Sequence, residues 1–219
     1  MGLRLFQKSG PLKGLIFRLW LLDARAKERS FLPFLDPADR ILDLGSGPGS
    51  VCRILRARGF AVTPVDVQDV ALDPSSRPQL YDGRRLPFAS QSYDVALLLT
   101  VLHHTSDPAR VLAEAARVAR RVIVIEDVYS SPVQRWLTHR VDSLLNLEFR
   151  GHPHTNRTDP AWRSHFAARG WRLVHTDSRR IALFFRQQTY ILDCVPRPRP
   201  ISATRPPPTE THAVVGARA

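Results

Sequence analysis

Cysteine and lysine are scarce in this chain, and each scarcity limits what the protein can be. Only two of the 219 residues are cysteine, Cys52 and Cys194, and two isolated cysteines form neither a disulfide framework nor a metal-binding spacing. Lysine supplies three of the 32 basic residues, so arginine carries most of the formal charge of +12. Because the arginines recur along the whole chain, we interpret the charge as spread over the surface. A nucleic-acid or anionic-membrane partner is the alternative.

Long apolar runs are also missing. The most apolar segment near the start, residues 15–22, is interrupted by Arg18 and is too short to cross a bilayer. We predict an amphipathic helix there, and a peripheral membrane contact is an alternative role for it. No secretory signal is evident, so we expect a cytoplasmic protein.

Composition and length divide the chain into three parts. We predict an N-terminal helical cap at residues 1–36 and one α/β domain at residues 37–195, with an insertion at about 128–160. From residue 196 the sequence is rich in proline, arginine, threonine and alanine. Such a composition cannot bury enough apolar surface to fold, so residues 196–219 are predicted to be a disordered tail.

The most informative segment is residues 41–51, with the sequence ILDLGSGPGSV. Its apolar residues predict a buried strand, and its glycines allow the backbone to turn sharply against a ligand before a helix begins. The dinucleotide fingerprint requires glycine at a sixth position, which is Ser50 here. Asp43 precedes the glycines, and a carboxylate there would repel a pyrophosphate and attract an ammonium group.

Two further carboxylates follow predicted strands. Asp66 ends the run Ala61–Val65, where an acidic residue can accept hydrogen bonds from both ribose hydroxyls of an adenosine. Asp82 follows the next short strand, and residues 94–99 form another continuous apolar run. After that run comes the segment LHHTSDP, residues 102–108, in which Asp107 and Pro108 are typical of a helix start.

These motifs resemble the class I S-adenosylmethionine-dependent methyltransferases, specifically their small-molecule, methyltransferase type 11-like subgroup. The resemblance is strong over residues 35–130. It implies an α/β, Rossmann-like, doubly wound seven-stranded sheet with an antiparallel last strand and helices on both faces. One departure is that the family's Lys-Pro-Gly-Gly turn before the fifth strand is replaced by Ala119-Arg120-Arg121, which shortens that connection.

The resemblance also implies roles for individual residues. Asp82 matches the acidic residue that accepts a hydrogen bond from the adenine amino group. His103 and His104 match an acceptor-site histidine pair, and Asp127 matches an acid that holds the histidine tautomer; these three are the predicted catalytic residues. The predicted cofactor-binding residues are Asp43, Gly45, Ser46, Gly47, Gly49, Asp66, Val67, Asp82, Gly83 and Thr100.

The second half of the chain is less familiar. We predict a helix at residues 132–147, a polar loop at 148–158 that contacts the acceptor, and a helix from Asp159 to about Gly170. Two strands at 171–176 and 181–186 are predicted to form a hairpin. The loop histidines, His152 and His154, suggest a metal site as the lesser alternative, and methyl transfer needs no metal.

The predicted function is methyl transfer from S-adenosylmethionine to a small molecule, at a hydroxyl oxygen, by in-line displacement. A histidine base would remove the hydroxyl proton. An RNA or protein methyltransferase is one alternative, although the segment after the fourth strand lacks the Asn/Asp-Pro-Pro-aromatic pattern of amino-directed nucleic-acid enzymes. A non-catalytic cofactor-binding module is the other.

Overall fold

The chain alternates strands and helices up to residue 128 and then adds an antiparallel pair. The computed structural model describes residues 10–129, 157–181 and 185–195. The helices are α1 (Gly10–Phe31), α2 (Ser50–Ala57), α3 (Pro108–Val118) and α4 (Asp159–Ala167). The strands are β1 (Arg40–Leu44), β2 (Ala61–Asp66), β3 (Gln79–Leu80), β4 (Tyr93–Leu99), β5 (Ala119–Val128), β6 (Arg172–Ile181) and β7 (Phe185–Asp193).

The seven strands form one sheet in the order β3-β2-β1-β4-β5-β7-β6. Strands β1 to β5 pair in parallel, and β7 runs antiparallel to both β5 and β6. The predicted doubly wound sheet with a reversed last strand is therefore confirmed. The carboxyl ends of the parallel strands all meet at one edge, which is where such sheets bind ligands.

Alternating residues of each central strand face opposite layers of helices. Ile41, Val95 and Leu97 pack against α1 and α2, whereas Leu42, Ala96 and Leu98 pack against α3 and α4. Both faces are apolar because the parallel strands are covered on both sides. Cys52 lies in the first of these two clusters, is fully buried, and serves in packing.

Local signals set several boundaries. The Asp107 side chain accepts a hydrogen bond from the Arg110 N–H and caps α3 as predicted. Helix α3 ends at Val118 and β5 begins at Ala119, so the connection is as short as expected. Pro64 is tolerated within β2 because β3 pairs only with Val65 and Asp66.

Two predicted boundaries are wrong. Strand β6 continues to Ile181 through the polar residues that lie between the two predicted strands, and β7 begins at Phe185. Residues 182–184 lie outside the described residues. A strand at the edge of a sheet can carry polar residues on its solvent face. The apolar run at 122–125 predicts a fifth strand that ends at Glu126 and Asp127, but β5 continues to Val128, so both acidic residues lie within it.

Some predictions fall on residues outside the described ranges. These are the helix at 132–147, most of the loop at 148–158 and the tail at 196–219. In the described part of the chain, no helix combines the length and the apolar character needed to traverse a bilayer.

Candidate cofactor and acceptor site

The loop after β1 is shaped by glycine. Gly45 has φ +76°, and a Cβ atom there would lie 2.5 Å from a Val101 methyl, so any side chain would displace the loop after β4. Gly47 has φ +51°, and the nearest atom to a Cβ there is the Gly45 carbonyl oxygen at 4.0 Å. The backbone at Gly47 therefore borders open space, which a ligand can approach closely.

Asp43 lies under this loop. Its side chain is buried, and its Oδ2 has no hydrogen-bond partner; the buried Ser46 hydroxyl oxygen also has none. Burial, reinforced by the neighbouring Asp66 carboxylate, raises the pKa of Asp43 to about 7. A buried carboxyl group without a partner is costly when charged, so the site suits a positively charged ligand group.

Asp66 connects the glycine loop to the end of β2. Its Oδ2 accepts a hydrogen bond from the Gly47 N–H at 2.9 Å, and its Oδ1 accepts one from the Val67 N–H at 2.7 Å. Burial raises the pKa of this carboxyl group, and these backbone donors partly offset the rise. Asp66 therefore holds the loop in its turn even without a ligand.

The residues predicted to contact adenine, Val67, Asp82 and Gly83, follow Asp66 along the chain. Val67 is 57% exposed, which is unusual for a large apolar residue beside a buried strand end. A Cβ at Gly83 would lie 3.3 Å from Val67. Burial of the Tyr81 phenol raises its pKa to about 12, and the negative charges of Asp66 and Asp82 contribute to the rise. Asp43, Asp66 and Asp82 thus lie at or just after the carboxyl ends of the neighbouring strands β1, β2 and β3.

Thr100, which directly follows β4, contacts Lys27 of α1. Thr100 has φ +59°, a strained conformation for a β-branched residue, and its N–H donates to the Ile125 carbonyl at 2.7 Å. The Lys27 ammonium from α1 donates to Thr100 Oγ1 at 3.0 Å and pairs with Asp23 at 2.8 Å. Burial raises the pKa of Asp43 and of Asp127, and the positive charge of Lys27 partly offsets both rises.

Lys27 is one of two residues beside the predicted site that the sequence does not single out, and Glu126 is the other. The Lys27 side chain is only 7% exposed. Two signals were available: it is one of only three lysines, and it lies three residues after Ala24 and four before Phe31, which are both buried on the inward side of α1.

The carboxylate that holds His103 is Glu126, not Asp127. Glu126 Oε2 lies 2.6 Å from His103 Nδ1, and both side chains are nearly inaccessible, at 1% and 2% exposed. Glu126 Oε1 accepts hydrogen bonds from the N–H groups of Val101 and Leu102, at 2.9 and 2.7 Å. The short helical turn Leu102–His104 is therefore fixed to β5 by a single carboxylate.

Strand periodicity explains this correction. Successive residues of a strand point to opposite faces, so Glu126 and Asp127 cannot both reach the same side. Glu126 faces His103, whereas Asp127 accepts a hydrogen bond from Gln187 Nε2 at 3.1 Å. Burial raises the pKa of Asp127, and the charges of His103 and Lys27 act against the rise.

His104 packs beside His103, with ring centroids 4.0 Å apart and the rings tilted by 43°. The structure thus brings both histidines, Glu126 and Asp127 to the same edge as the glycine loop. His152 and His154 lie outside the described residues. Within the described ranges no three acidic, histidine or cysteine side chains are arranged to hold a metal.

A separate groove of about 440 Å³ lies at the opposite edge of the sheet, by the amino ends of the strands. Arg40, Thr63, Phe88 and Tyr93 are among its lining residues. None of the predicted site residues borders it.

Comparison with known proteins agrees with this geometry. A family model described as a methyltransferase domain matches residues 17–176. A ubiquinone biosynthesis O-methyltransferase of Saccharophagus degradans is 30% identical over 92 residues, which are 37% of this chain and 39% of that protein. An uncharacterized methyltransferase of Mycobacterium tuberculosis is 35% identical over 107 residues, 46% of this chain and 39% of that protein. The chain therefore spans about two fifths of these relatives' length.

Solved structures share the fold at low sequence identity. Geranyl diphosphate C-methyltransferase from Streptomyces coelicolor superposes with a TM-score of 0.62 at 12% identity, covering 86% of this chain and 85% of that one. Magnesium protoporphyrin IX methyltransferase from Synechocystis, with S-adenosylhomocysteine bound, gives 0.57 at 15% identity, covering 78% and 82%.

The residues present also fit a sulfonium amino acid joined to adenosine. The partnerless Asp43 and Ser46 oxygens suit an ammonium group, and the open backbone at Gly47 leaves room beside them. A phosphate-bridged dinucleotide would instead place negative charge near Asp43 and Asp66. The family model covers well over half of the chain. The chain thus belongs to the methyltransferase domain family, and its cofactor is S-adenosylmethionine.

Proposed function

We propose that this protein transfers the methyl group of S-adenosylmethionine to a hydroxyl oxygen of a small-molecule acceptor. The observation that carries the proposal is the buried His103–Glu126 pair, 2.6 Å apart, at the carboxyl edge of the sheet beside the glycine loop. A histidine held by a carboxylate suits a hydroxyl acceptor, because the hydroxyl proton must be removed during transfer.

The cofactor would be held by both ends of its amino acid group. Asp43 and Ser46 would face the ammonium, and the Lys27 ammonium at Thr100 would face the carboxylate. Asp66 would accept hydrogen bonds from the ribose, Val67 would pack against adenine, and Asp82 would accept from the adenine amino group. Because Gly45, Gly49 and Gly83 have no side chains, the backbone at these positions could lie close to the cofactor. When bound, the cofactor supplies a methyl group already activated on sulfur.

The proton would be moved by His103. Glu126 accepts from Nδ1, which keeps the proton on that nitrogen and makes Nε2 the basic atom. An ionised Glu126 would also stabilise the imidazolium after proton transfer. His104 lies against the same ring and would line the acceptor side, and Asp127 would contribute negative charge from the α1 side of β5.

The acceptor class is proposed from the relatives. The printed names of the curated relatives include ubiquinone biosynthesis O-methyltransferases and a demethylmenaquinone methyltransferase, which support a small organic acceptor. Incubating the protein with labelled cofactor and a metabolite extract should place label in a small molecule. Label found only in RNA or protein would overturn this part of the proposal.

Calorimetry tests the cofactor pocket directly. We expect micromolar binding of S-adenosylmethionine and no binding of a nicotinamide dinucleotide. Asp66→Ala should weaken binding by at least tenfold, because it removes the ribose acceptor and releases the Gly47 N–H. Asp177→Ala, an exposed carboxylate on β6, is the matched control and should bind normally. Equal affinity in both variants would remove Asp66 from the site.

A further inference from the structure

The outward side of α1 carries an apolar stripe that nothing in the described structure covers. Leu15, Leu19 and Leu22 are 57%, 59% and 61% exposed. Their spacing of four and three residues places them on one side of the helix, over about 10 Å of its length. Large apolar side chains grouped in this way on a surface indicate a docking site.

Arginines lie along the same side. Arg18, Arg25 and Arg29 are exposed at helical spacing next to the leucines. None of them has an ion pair within the described part of the chain, whereas Arg58, Arg117 and Arg121 are each paired with a carboxylate there. We call Leu15, Leu19, Leu22, Arg18, Arg25 and Arg29 the Leu/Arg face.

We propose that the Leu/Arg face docks the protein onto an anionic lipid surface. Leucines can enter the boundary between headgroups and acyl chains while neighbouring arginines contact lipid phosphates. The formal charge of +12 attracts the whole molecule to the same surface. A second copy of the chain is a poorer occupant, because a two-fold contact across this face would bring arginines against arginines.

The inward side of α1 is anchored, so the docking face is preformed. Ala24 and Phe31 are buried in the core, and Glu28 pairs with Arg58 at 2.7 Å. Lys27 contacts Thr100 in the candidate site. Docking therefore needs no unfolding of the helix, and it does not depend on the proposed methyl transfer.

Vesicle sedimentation of the full chain tests the proposal. We expect binding to vesicles that contain phosphatidylglycerol, little binding to pure phosphatidylcholine, and weaker binding as salt rises. The variant Leu19→Ser/Leu22→Ser and the variant Arg18→Gln/Arg25→Gln/Arg29→Gln should each weaken binding by about tenfold or more. These side chains are exposed, so thermal unfolding should stay unchanged.

A charge-matched control separates this face from diffuse attraction. Arg110→Gln/Arg169→Gln/Arg180→Gln removes the same charge from exposed positions elsewhere and should bind vesicles almost normally. Equal loss in the control, or no vesicle binding by the unmodified protein, would overturn the proposal. So would a concentration-dependent dimer that Leu19→Ser/Leu22→Ser abolishes in the absence of lipid.

Discussion

Asp43 is a buried carboxyl group whose protonation depends on its burial, on the neighbouring Asp66 and on whether an ammonium group is bound beside it. Burial and Asp66 raise its pKa to about 7, above the ordinary value of 3.8. The folded protein therefore binds the proton more tightly than the unfolded chain. This contribution to stability is fully present below about pH 4 and is lost as the pH rises through about 7. A bound ammonium group would reverse the preference and favour the ionised form.

The expected result is cofactor affinity that increases with pH. Because Asp43 must lose its proton to pair with the ammonium, binding at pH 6 should be about tenfold weaker than at pH 8 and should release a proton. Calorimetry in buffers of different ionisation enthalpy measures both quantities. Asp43→Asn should bind weakly and without this pH dependence. A pH-independent affinity in the unmodified protein would contradict the assignment of Asp43.

Glu126 permits an isosteric test of the base. In Glu126→Gln, the amide oxygen can still accept from the Val101 and Leu102 N–H groups, while the amide nitrogen would donate to His103 Nδ1. The histidine proton would move to Nε2, the wrong nitrogen for accepting one. We expect kcat to fall by about 10²- to 10⁴-fold with cofactor affinity nearly unchanged. Full turnover in this variant would exclude His103 as the base.

Strand β5 illustrates how far an element can be predicted from sequence. The apolar run at 122–125 indicates a strand, but the acidic residues that follow suggest its end. The strand continues because Gln187 and Gln188 of β7 pair opposite Asp127 and Glu126. The Gln187 amide donates a hydrogen bond to Asp127, and the turn that carries His103 satisfies Glu126, so neither carboxyl group is buried without partners. Long-range pairing of this kind leaves no local signal, so the partner of His103 was assigned one residue too late.

The glycine loop was predictable for the opposite reason. Its residues interact mainly with their own neighbours in sequence or with the next strand, so Asp43, Gly45, Gly47 and Asp66 are evident from spacing. Helix α1 was predictable only in part. Its amphipathic pattern was visible, but the burial of Lys27 depends on Thr100, which is 73 residues away.

At the scale of the molecule, one ionic cluster joins the antiparallel end of the sheet to the rest. Asp193 on β7 is buried and pairs with Arg121 on β5 at 2.7 Å and with Arg172 on β6. Arg121 also donates to the Phe34 carbonyl at 3.0 Å, in the segment after α1. Three strands therefore meet at one carboxylate, and Arg121 links them to the N-terminal segment.

Removing that carboxylate should destabilise the fold without changing the site. Asp193→Ala leaves the Arg121 guanidinium buried without its partner, so we expect a loss of about 3 kcal/mol in the free energy of unfolding. Urea denaturation measures it. Arg110→Ala breaks an exposed contact to Asp107 and should cost less than about 1 kcal/mol. A similarly small loss for Asp193→Ala would mean that the cluster is not what holds β7 in place.

Val101 has a consequence for how acceptor choice can change. Its methyl groups fill the space above Gly45, and its N–H is held by Glu126. The glycine loop and the turn that carries the histidines therefore constrain each other's position through the Val101 side chain. Laboratory evolution toward a new acceptor should therefore succeed at positions remote from this contact and rarely tolerate a bulkier residue at 101.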